Sequence, residues 1–573
     1  MGNSTEKIHS LVDNVDSGKL LVPEMQRRYV WRTTQVRDLF DSLYRGYPVG
    51  SILVWNRPDG DIEGRVLDVG ESAGNMRTGE TQLLLDGQQR LTSLTAILRD
   101  KELLVRWRKK SLDILFNVTH PDVEEDEILD AVDPDEDDED TDSDDERDAL
   151  DFEKKTFVVA TRRLMSKPNW VSLRRVFRED SADIWLDLIE KMRLESKSPE
   201  AKKILTRIQQ LRKIADIDIP IVTLGKEMDY RTVTDVFCRV NSAGARLKGS
   251  DLALAQITSR WIGSLKKFEA FQNKWGGDAK QPLFDLGFAI RALVVFCTGQ
   301  CKFLSVGSIS VDRLEKGWEK TVKALETAFD IIKNGWEIHS FTLLSAPSLV
   351  ITLAYYLRHL EENGRNPSDH EMAELHKWLL VASICGHYSK GSSESIMDQD
   401  LAAIDKGASI AELSSAFTKQ GWTGLVTEED LKGKFHGSAY FGLMYLAMKD
   451  AGAKDWYHHA KISLANVGAV LKVQFHHICP RALLRAHGGY DASEINDIAN
   501  LAFIGGSTNR KISDKRPTDY LPTISVEDRK SQCVPLDEAL YDLDKYREFI
   551  AERRKLIADM LNAYLSNIHV GAN

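Results

Sequence analysis

The sequence predicts an α/β domain at the N-terminal end, a mainly α-helical middle and a C-terminal region of loops and short elements. Residues 1–120 alternate short β-rich runs with helical runs, which is typical of an α/β layer. From about 255 to 450, apolar residues recur at helical spacing, and an amphipathic helix is expected from about Leu536 to Leu565. A chain of 573 residues exceeds one core, so about three or four compact units are expected.

The N-terminal elements are predicted from apolar periodicity. Val36, Leu39, Phe40 and Leu43 recur at helical intervals within residues 32–48. Short strands are expected at 50–56, 82–86, 112–118 and 217–224, and the last of these is expected to be buried. Helices are expected after Gly87 and in the segment YRTVTDVFCRVNSAGARL.

Most of the negative charge lies in one segment. Residues 122–153 contain 20 acidic residues and one arginine, a charge of −19, so the rest of the chain carries +8 against a total of −11. A block of like charge predicts a solvated, disordered insert, and the alternative is an insert that mimics DNA in a basic groove. The mildly basic remainder suits a polyanionic partner.

The sequence argues against a membrane-spanning protein and against a secreted one. No run of about 18 apolar residues occurs, so no membrane span is expected. The N-terminal segment MGNSTEKIHSLVDNVDSG lacks the apolar stretch of a secretory signal, and the six cysteines are dispersed, which favours a reduced, cytoplasmic protein. Cys297 and Cys301 lie close together, but no second pair completes a zinc site.

The segment LLLDGQQRLTSL is the first candidate site. Asp86 ends an apolar strand, Gly87 permits a tight turn, and Gln88, Gln89 and Arg90 stand on the first turn of a helix. A helix N-terminus attracts phosphate, and Arg90 could add a bidentate contact. Asp86 could hold a metal-bound water, position Arg90 or cap the helix. An ordinary strand-to-helix connection is the alternative.

A basic and aromatic segment, LVPEMQRRYVWR, lies upstream and contains Gln26, Arg27, Arg28, Tyr29 and Trp31. Interleaved side chains of these two kinds can grip phosphates and stack on bases, so DNA contact is predicted. The alternative is a loop that packs Trp31 on the core and leaves the arginines in solvent.

These segments resemble the N-terminal domain of the DUF262 family, the GmrSD-type restriction proteins. The resemblance rests on PEMQRRYVW, DLFDSLYRGYPVGSILVW, LLLDGQQRLTSL and VFCRVNSAGARLKGSDLALAQI, and covers roughly residues 5–260. It implies a fold related to ParB and sulfiredoxin, with nucleotide binding and hydrolysis at Asp86 to Arg90. The Glu24-Met25 pair and the acidic insert depart from the family pattern.

The second candidate site lies in KVQFHHICPRALL, where His476 and His477 stand shortly before Pro480. Phosphodiester hydrolysis needs an activated water and neutralisation of charge on the phosphate. A neutral histidine can take the proton of the water, and a divalent metal can hold the phosphate. Asn500 and Asn509 follow downstream.

A basic patch surrounds the end of this segment and suits a DNA backbone. Its members are Arg510, Lys511, Lys515 and Arg516.

The C-terminal pattern resembles the DUF1524 family, an HNH (ββα-metal) endonuclease domain, on the elements FHHICP, IANLAFIGGSTNRKISDKRP and TDYL. The resemblance implies that His477 is the general base and that His476 fills a metal-ligand position where Asp is common. It makes Asn509 the second metal-side residue, Asn500 a brace of the histidine loop and Lys515 a phosphate contact. The segment WLLVASICGHYSKGSSESIMDQDLAAI resembles the helical link of DUF262–DUF1524 proteins, so the resemblance covers nearly the whole chain.

Two details refine this prediction. A neutral histidine in place of a carboxylate weakens the preference for Mg²⁺ and admits Mn²⁺, Ni²⁺ or Zn²⁺, although Mg²⁺ remains the first expectation. His458 and His459 form an equally adjacent pair without the downstream proline and asparagines, so a surface or packing role is predicted for them.

The sequence therefore predicts a nucleotide-binding, DNA-sensing domain at 1–260, a helical linker at 261–430 and an HNH nuclease domain at 431–573. The expected function is a nucleotide-hydrolysing, metal-dependent DNA endonuclease or nickase of prokaryotic anti-phage defence. The resemblance links it to glycosylated cytosine or phosphorothioate-marked DNA. Expected ligands and partners are Mg²⁺ or Mn²⁺, GTP before ATP or CTP, double-stranded DNA and a second copy of the chain. The rivals are a DNA-binding NTPase switch without nuclease activity and an RNA-directed nuclease.

Overall fold

The computed structural model divides into two compact units, residues 1–282 and 283–573. It describes residues 2–23, 26, 29–56, 64–65, 67, 81–103, 105, 111–121, 155–243, 249–275, 284–389, 392–464 and 473–568. The acidic insert, Arg27 and Arg28 lie outside these residues. Within the described part of the chain, no helix combines the length and apolar character needed to cross a membrane.

The first unit combines strands and helices. Its strands are β1 Gly2–Lys7, β2 Leu20–Pro23, β3 Ile52–Asn56, β4 Gly64–Arg65, β5 Gln82–Asp86, β6 Ile114–Asn117, β7 Phe157–Val159, β8 Trp170–Ser172 and β9 Asp218–Leu224. Its helices are α1 Ile8–Asp16, α2 Thr33–Tyr44, α3 Gln88–Leu98, α4 Arg162–Met165, α5 Leu173–Arg178, α6 Ser181–Lys191, α7 Pro199–Arg212, α8 Tyr230–Ala243, α9 Gly249–Thr258 and α10 Ser264–Trp275.

A mixed six-stranded sheet organises this unit, in the order β1-β9-β3-β5-β2-β4. β3 is antiparallel to β5 and parallel to β9, while β5 and β2 are parallel. Alternate residues of β3 and β5 point to opposite faces, so Val54 and Leu84 join the core with α1, α2 and α3. Trp55 and Leu83 join a second core on the other face. Apolar layers therefore cover both faces of the sheet where β5 meets α3.

A second, three-stranded antiparallel sheet has the order β7-β6-β8. The expected strand at 112–118 corresponds to β6, and the strand expected at 82–86 matches β5 in its bounds. The strand expected at 217–224 is β9, but its Asp218 and Pro220 are exposed while Ile219 and Ile221 are buried. The mixed α/β character predicted for the N-terminal region is confirmed.

The second unit is mostly helical, as predicted for the middle of the chain. Its helices are α11 Leu286–Thr298, α12 Val311–Asp330, α13 Ser348–Glu362, α14 Asp369–Cys385, α15 Ser393–Asp405, α16 Ile410–Lys419, α17 Glu428–Leu431, α18 Ala439–Asp450, α19 Arg481–His487, α20 Ala492–Ile495, α21 Gly506–Ile512, α22 Pro517–Tyr520, α23 Val526–Ser531 and α24 Tyr546–Asn567. Its strands are β10 Val473–His477 and β11 Leu501–Gly505. These two strands form an antiparallel pair, and α21 follows β11 directly.

The last helix begins later than the sequence pattern predicts. It starts at Tyr546 rather than near Leu536. Asp537 and Asp542 each accept a hydrogen bond from a backbone N–H two residues onward, which forms two short 3₁₀ turns before the helix. Local side-chain bonds of this kind compete with the helix, and apolar periodicity does not reveal them.

Candidate active site

The histidine pair lies on β10, and the two side chains leave the strand on opposite faces. His476 is paired with Ala502 and His477 with Leu501 of β11. Because successive residues of a strand alternate between faces, Gln474 and His476 share one face and Phe475 and His477 share the other. The two histidines therefore have different surroundings despite their adjacency.

His476 is almost fully buried, with 3% of its surface exposed. Its Nδ1 lies 2.9 Å from the side-chain oxygen of Asn509, and its Nε2 lies 3.3 Å from the hydroxyl oxygen of Tyr520. Burial lowers the pKa of His476 to about 4, so the ring is neutral near pH 7. A neutral imidazole is the form that binds metal ions.

Tyr520 and Asn509 contact the two ring nitrogens of His476 and bear on which of them carries the proton. The Tyr520 hydroxyl donates its single proton to the carbonyl oxygen of Ile478 at 2.8 Å. Its oxygen can therefore only accept from His476, so the Nε2 contact is a hydrogen bond when the imidazole proton is on Nε2, and the Nδ1 contact with Asn509 is one when the proton is on Nδ1. In the tautomer with the proton on Nε2, the lone pair of Nδ1 faces the oxygen of Asn509.

Asn509 lies on α21 and is fixed from two sides. Its amide nitrogen donates to the side-chain oxygen of Gln474 at 2.9 Å, which leaves its oxygen turned towards His476. The buried carboxylate of Asp455 accepts from the Gly505 N–H and from the Thr508 hydroxyl, both at 2.6 Å. Asp455 thus anchors the start of the helix that carries Asn509.

His477 is partly accessible, and its Nε2 lies 3.3 Å from the side-chain oxygen of Asn496. The loop behind it is held by Asn500, which is fully buried. The Asn500 amide accepts from the Cys479 N–H at 2.8 Å and donates to the carbonyl oxygens of Cys479 and Ile495, each at 3.0 Å. Asn500 therefore braces the histidine loop and does not face solvent.

Arg553 of α24 supports the same loop from inside the unit. Its guanidinium donates to the carbonyl oxygens of Ala499 at 2.7 Å and Leu501 at 2.8 Å. Burial lowers the pKa of Arg553 to about 10, which still leaves the side chain charged at neutral pH. The final helix is thus tied directly to the hairpin.

The predicted basic patch is exposed around the end of α21. Its members are Arg510, Lys511, Lys515 and Arg516. The ammonium group of Lys511 lies 4.3 Å from the ring centre of Tyr457, which limits its freedom.

Few side chains that could ligate a metal ion lie near His476. Among the described residues, no group of three or more His, Cys, Asp or Glu side chains converges to hold a metal. His476 and Asn509 offer one imidazole nitrogen and one amide oxygen. Cys297 and Cys301 are buried thiols, and burial raises the pKa of Cys301 to about 12, so they stay protonated.

In the first unit, Arg90 holds the turn that leads into α3. Its guanidinium donates to the carbonyl oxygens of Val49 and Ser51, the latter at 2.8 Å, and pairs with Asp86 at 3.1 Å. Gly87 has φ +94°, and a Cβ there would collide with Ile52. The predicted Asp86–Arg90 motif is thus one structural unit in which Arg90 is committed to internal contacts.

Gln88 and Gln89 differ in environment. The Gln88 amide nitrogen is buried and has no hydrogen-bond partner among the residues that the structure describes. The Gln89 side-chain oxygen accepts from the backbone N–H groups of Val30 at 2.8 Å and Trp31 at 3.2 Å. An unpartnered buried donor beside a helix N-terminus is the feature of this motif that a bound ligand would relieve.

The structure brings the segment around Gln26 against the same motif. Gln26 is buried and donates to the carbonyl oxygen of Leu84. The Tyr29 hydroxyl lies 2.9 Å from the hydroxyl of Ser93, and Trp31 packs against the core. These three side chains fix the approach to α3, and their predicted contact with DNA remains a prediction.

Five residues that hold the site or its loop had no role assigned from the sequence: Gln474, Asn496, Tyr520, Asp455 and Arg553. Gln474 lies two residues before His476, so strand alternation could have placed it on the same face. Tyr520 stands in the quoted segment TDYL. Asn496 and Asp455 carry no local signal, because their contacts depend on loops.

The comparisons with known proteins give a family model that matches the first unit and a relative that aligns with nearly the whole chain. Residues 8–258 match the family model described as GmrSD restriction endonuclease, N-terminal domain. This match supports the DUF262 part of the sequence resemblance. An uncharacterized protein of Methanocaldococcus jannaschii is 24% identical to the chain, over 94% of this chain and 90% of its own length.

Proposed function

We propose that the chain is a nucleotide-hydrolysing, metal-dependent DNA endonuclease or nickase of anti-phage restriction. Two observations support the proposal. Residues 8–258 match the N-terminal domain model of a restriction endonuclease. The second unit presents a strand pair followed by a helix, with the Nδ1 of His476 2.9 Å from the oxygen of Asn509, and this contact carries the proposal.

His476 and Asn509 are the residues that would hold a divalent ion in this proposal. Adjacent ligands at about 2.1 Å from a metal are about 3 Å apart, which is compatible with the observed separation of Nδ1 and the amide oxygen. In the tautomer with the proton on Nε2 these two acceptors repel each other, and a cation would relieve that repulsion. When bound, Mg²⁺ or Mn²⁺ would hold the scissile phosphate and stabilise the leaving oxygen.

His477 acts as the general base in this proposal. It takes the proton of the attacking water, and Asn496 orients its ring through Nε2. Asn500 holds the loop that carries it. The exposed cations Arg510, Lys511, Lys515 and Arg516 contact the DNA backbone.

The first unit binds and hydrolyses a nucleoside triphosphate at the start of α3. GTP is the first candidate, followed by ATP and CTP. Gly87 and the backbone N–H groups of the first turn face the phosphates, and the Gln88 amide supplies a donor. Asp86 and Arg90 hold the turn in place. The DNA feature sensed is glycosylated cytosine or a phosphorothioate mark.

A plasmid-nicking assay with Mg²⁺ or Mn²⁺ tests the nuclease assignment. His477→Ala is expected to abolish nicking, whereas His458→Ala, in the exposed and equally adjacent pair, is expected to leave it unchanged. Nucleotide turnover should persist in both variants. Nicking by His477→Ala at the wild-type rate would refute the site, and cleavage of RNA in preference to DNA would favour the RNA-directed rival.

A further inference from the structure

A group of three rings, of which the two phenylalanines are exposed and the histidine is half-buried, lies on the His477 side of the hairpin, and we call it the aromatic shelf: Phe435, His436 and Phe475. Phe435 is 53% exposed and Phe475 is 43% exposed, which is unusual for phenylalanine. The rings of His436 and Phe475 are stacked, with centroids 6.3 Å apart and planes 29° apart. Phe435 meets His436 edge-on at 5.7 Å.

Buried rings hold the aromatic shelf in place. Phe441 contacts Phe475 edge-to-face at 4.7 Å, and Phe503 does so at 6.1 Å. Both supporting rings are buried. Phe435 lies so close to Gly437 that a Cβ there would come within 2.5 Å of the ring. The shelf is therefore pre-ordered, which reduces the entropy lost when a flat ligand binds.

The aromatic shelf lies close to the proposed general base. Phe475 and His477 are two residues apart on β10 and share a face, so their Cα atoms are separated by about 6.6 Å along the strand. In a strand that keeps the duplex spacing of about 3.4 Å per base, this corresponds to about two base steps. A base resting on the shelf belongs to a nucleotide within about two positions of the phosphate at His477.

Cations flank the shelf along the chain. Lys432 and Lys434 immediately precede Phe435, and Arg481 and Arg485 lie on α19, which follows His477. Lys432 is 3.6 Å from Glu429, and both side chains are largely exposed, so this ion pair is weak. Aromatic faces interleaved with positive charge match a nucleic-acid strand better than an apolar partner surface.

We propose that the aromatic shelf stacks against an unpaired base of the DNA strand on which His477 acts, an inference that rests on the nuclease function proposed above. Bases of an intact duplex are already stacked on each other. The shelf therefore favours a single-stranded or locally opened strand over a continuous duplex.

The test uses the full-length His477→Ala protein and a 2-aminopurine-labelled single strand, with the matching duplex as a second probe. We expect the fluorescence of the single strand to be quenched by stacking on the shelf. We also expect the protein to bind the single strand more tightly than the duplex. Phe435→Ser, on an exposed loop, and Phe475→Leu, on the strand, should each weaken binding about tenfold and reduce the quenching. Leu425→Ser, at an exposed apolar position of the same unit, is the matched control and should change neither.

Equal quenching and affinity in the shelf variants and the control would overturn the proposal. Loss of self-association without loss of DNA binding would also overturn it, because the shelf would then be an interface between copies. The proposed function fails separately if the wild-type protein does not nick DNA while the shelf still quenches the labelled strand.

Discussion

The Nδ1 of His476 and the side-chain oxygen of Asn509 lie 2.9 Å apart, although 33 residues separate them in the chain. The pairing of β10 with β11 and the anchoring of α21 by Asp455 bring them together. The Tyr520 hydroxyl can only accept from His476, and this contact favours the tautomer in which the Nδ1 lone pair faces Asn509.

Tyr520→Phe is expected to lower the affinity of the site for its metal ion. Without the hydroxyl, a proton on Nε2 of His476 has lost its acceptor, and loss of such a partner typically costs about 10–100-fold in metal affinity. The concentration of Mn²⁺ or Mg²⁺ for half-maximal nicking should rise by this factor, while the rate at saturating metal is retained. Tyr541→Phe is the matched control, because Tyr541 is equally buried and its hydroxyl donates to Pro535. An identical metal response of both variants would contradict the role of Tyr520.

Asn509→Asp is expected to shift the metal preference towards Mg²⁺. A carboxylate is the harder ligand, and it should lower the Mg²⁺ concentration for half-maximal nicking about tenfold, equivalent to roughly 1.4 kcal/mol of binding. Asn509→Leu, which removes the oxygen donor, should lose metal-dependent nicking. The measurement is nicking rate against concentration for Mg²⁺ and Mn²⁺. Retention of wild-type metal dependence by Asn509→Leu would remove Asn509 from the site.

Gln88→Leu is expected to raise the stability of the protein without nucleotide and to remove the stabilisation that GTP gives. The buried amide nitrogen has no partner in the described part of the chain, so its removal should raise the free energy of unfolding by about 1–3 kcal/mol without nucleotide. The same variant should lose the increase in melting temperature that GTP gives the wild type. Gln89→Leu should instead destabilise, because it leaves the N–H groups of Val30 and Trp31 without their acceptor. An unchanged GTP effect in Gln88→Leu would place the nucleotide elsewhere.

His376→Phe is expected to reduce the acid sensitivity of the second unit. His376 stacks on Trp336 with centroids 4.7 Å apart, and burial lowers its pKa to about 4. Because the unfolded chain takes up a proton near pH 6.5 and the folded chain resists it, stability falls as the pH drops from about 6.5 towards 4. The wild type should lose about 1–2 kcal/mol more than the variant between pH 7 and pH 5. Thermal unfolding at the two pH values measures this, and equal losses would contradict it.

Much of the N-terminal architecture could be predicted from local pattern. The strand before Gly87 and the helix after it follow from an apolar run, a glycine and a helical stripe, and the structure has β5 and α3 there. The start of the last helix could not be predicted in this way, because the capping side chains Asp537 and Asp542 interrupt it. At the first motif, residue types indicated phosphate contact by Arg90, whereas its carbonyl partners Val49 and Ser51 become visible only in the folded chain.

The sequence by itself determined which residues could carry chemistry, because FHHICP and the two later asparagines stand in a recognisable order. Because the two histidines are adjacent in the sequence, their placement on a β-strand requires that His476 and His477 point to opposite faces. Only the tertiary structure decided which of them is buried, which nitrogen of His476 faces Asn509, and what fixes that choice. The physical reason is that burial and proton placement depend on Tyr520 and Asn509, which chain folding brings to His476 from 44 and 33 residues away.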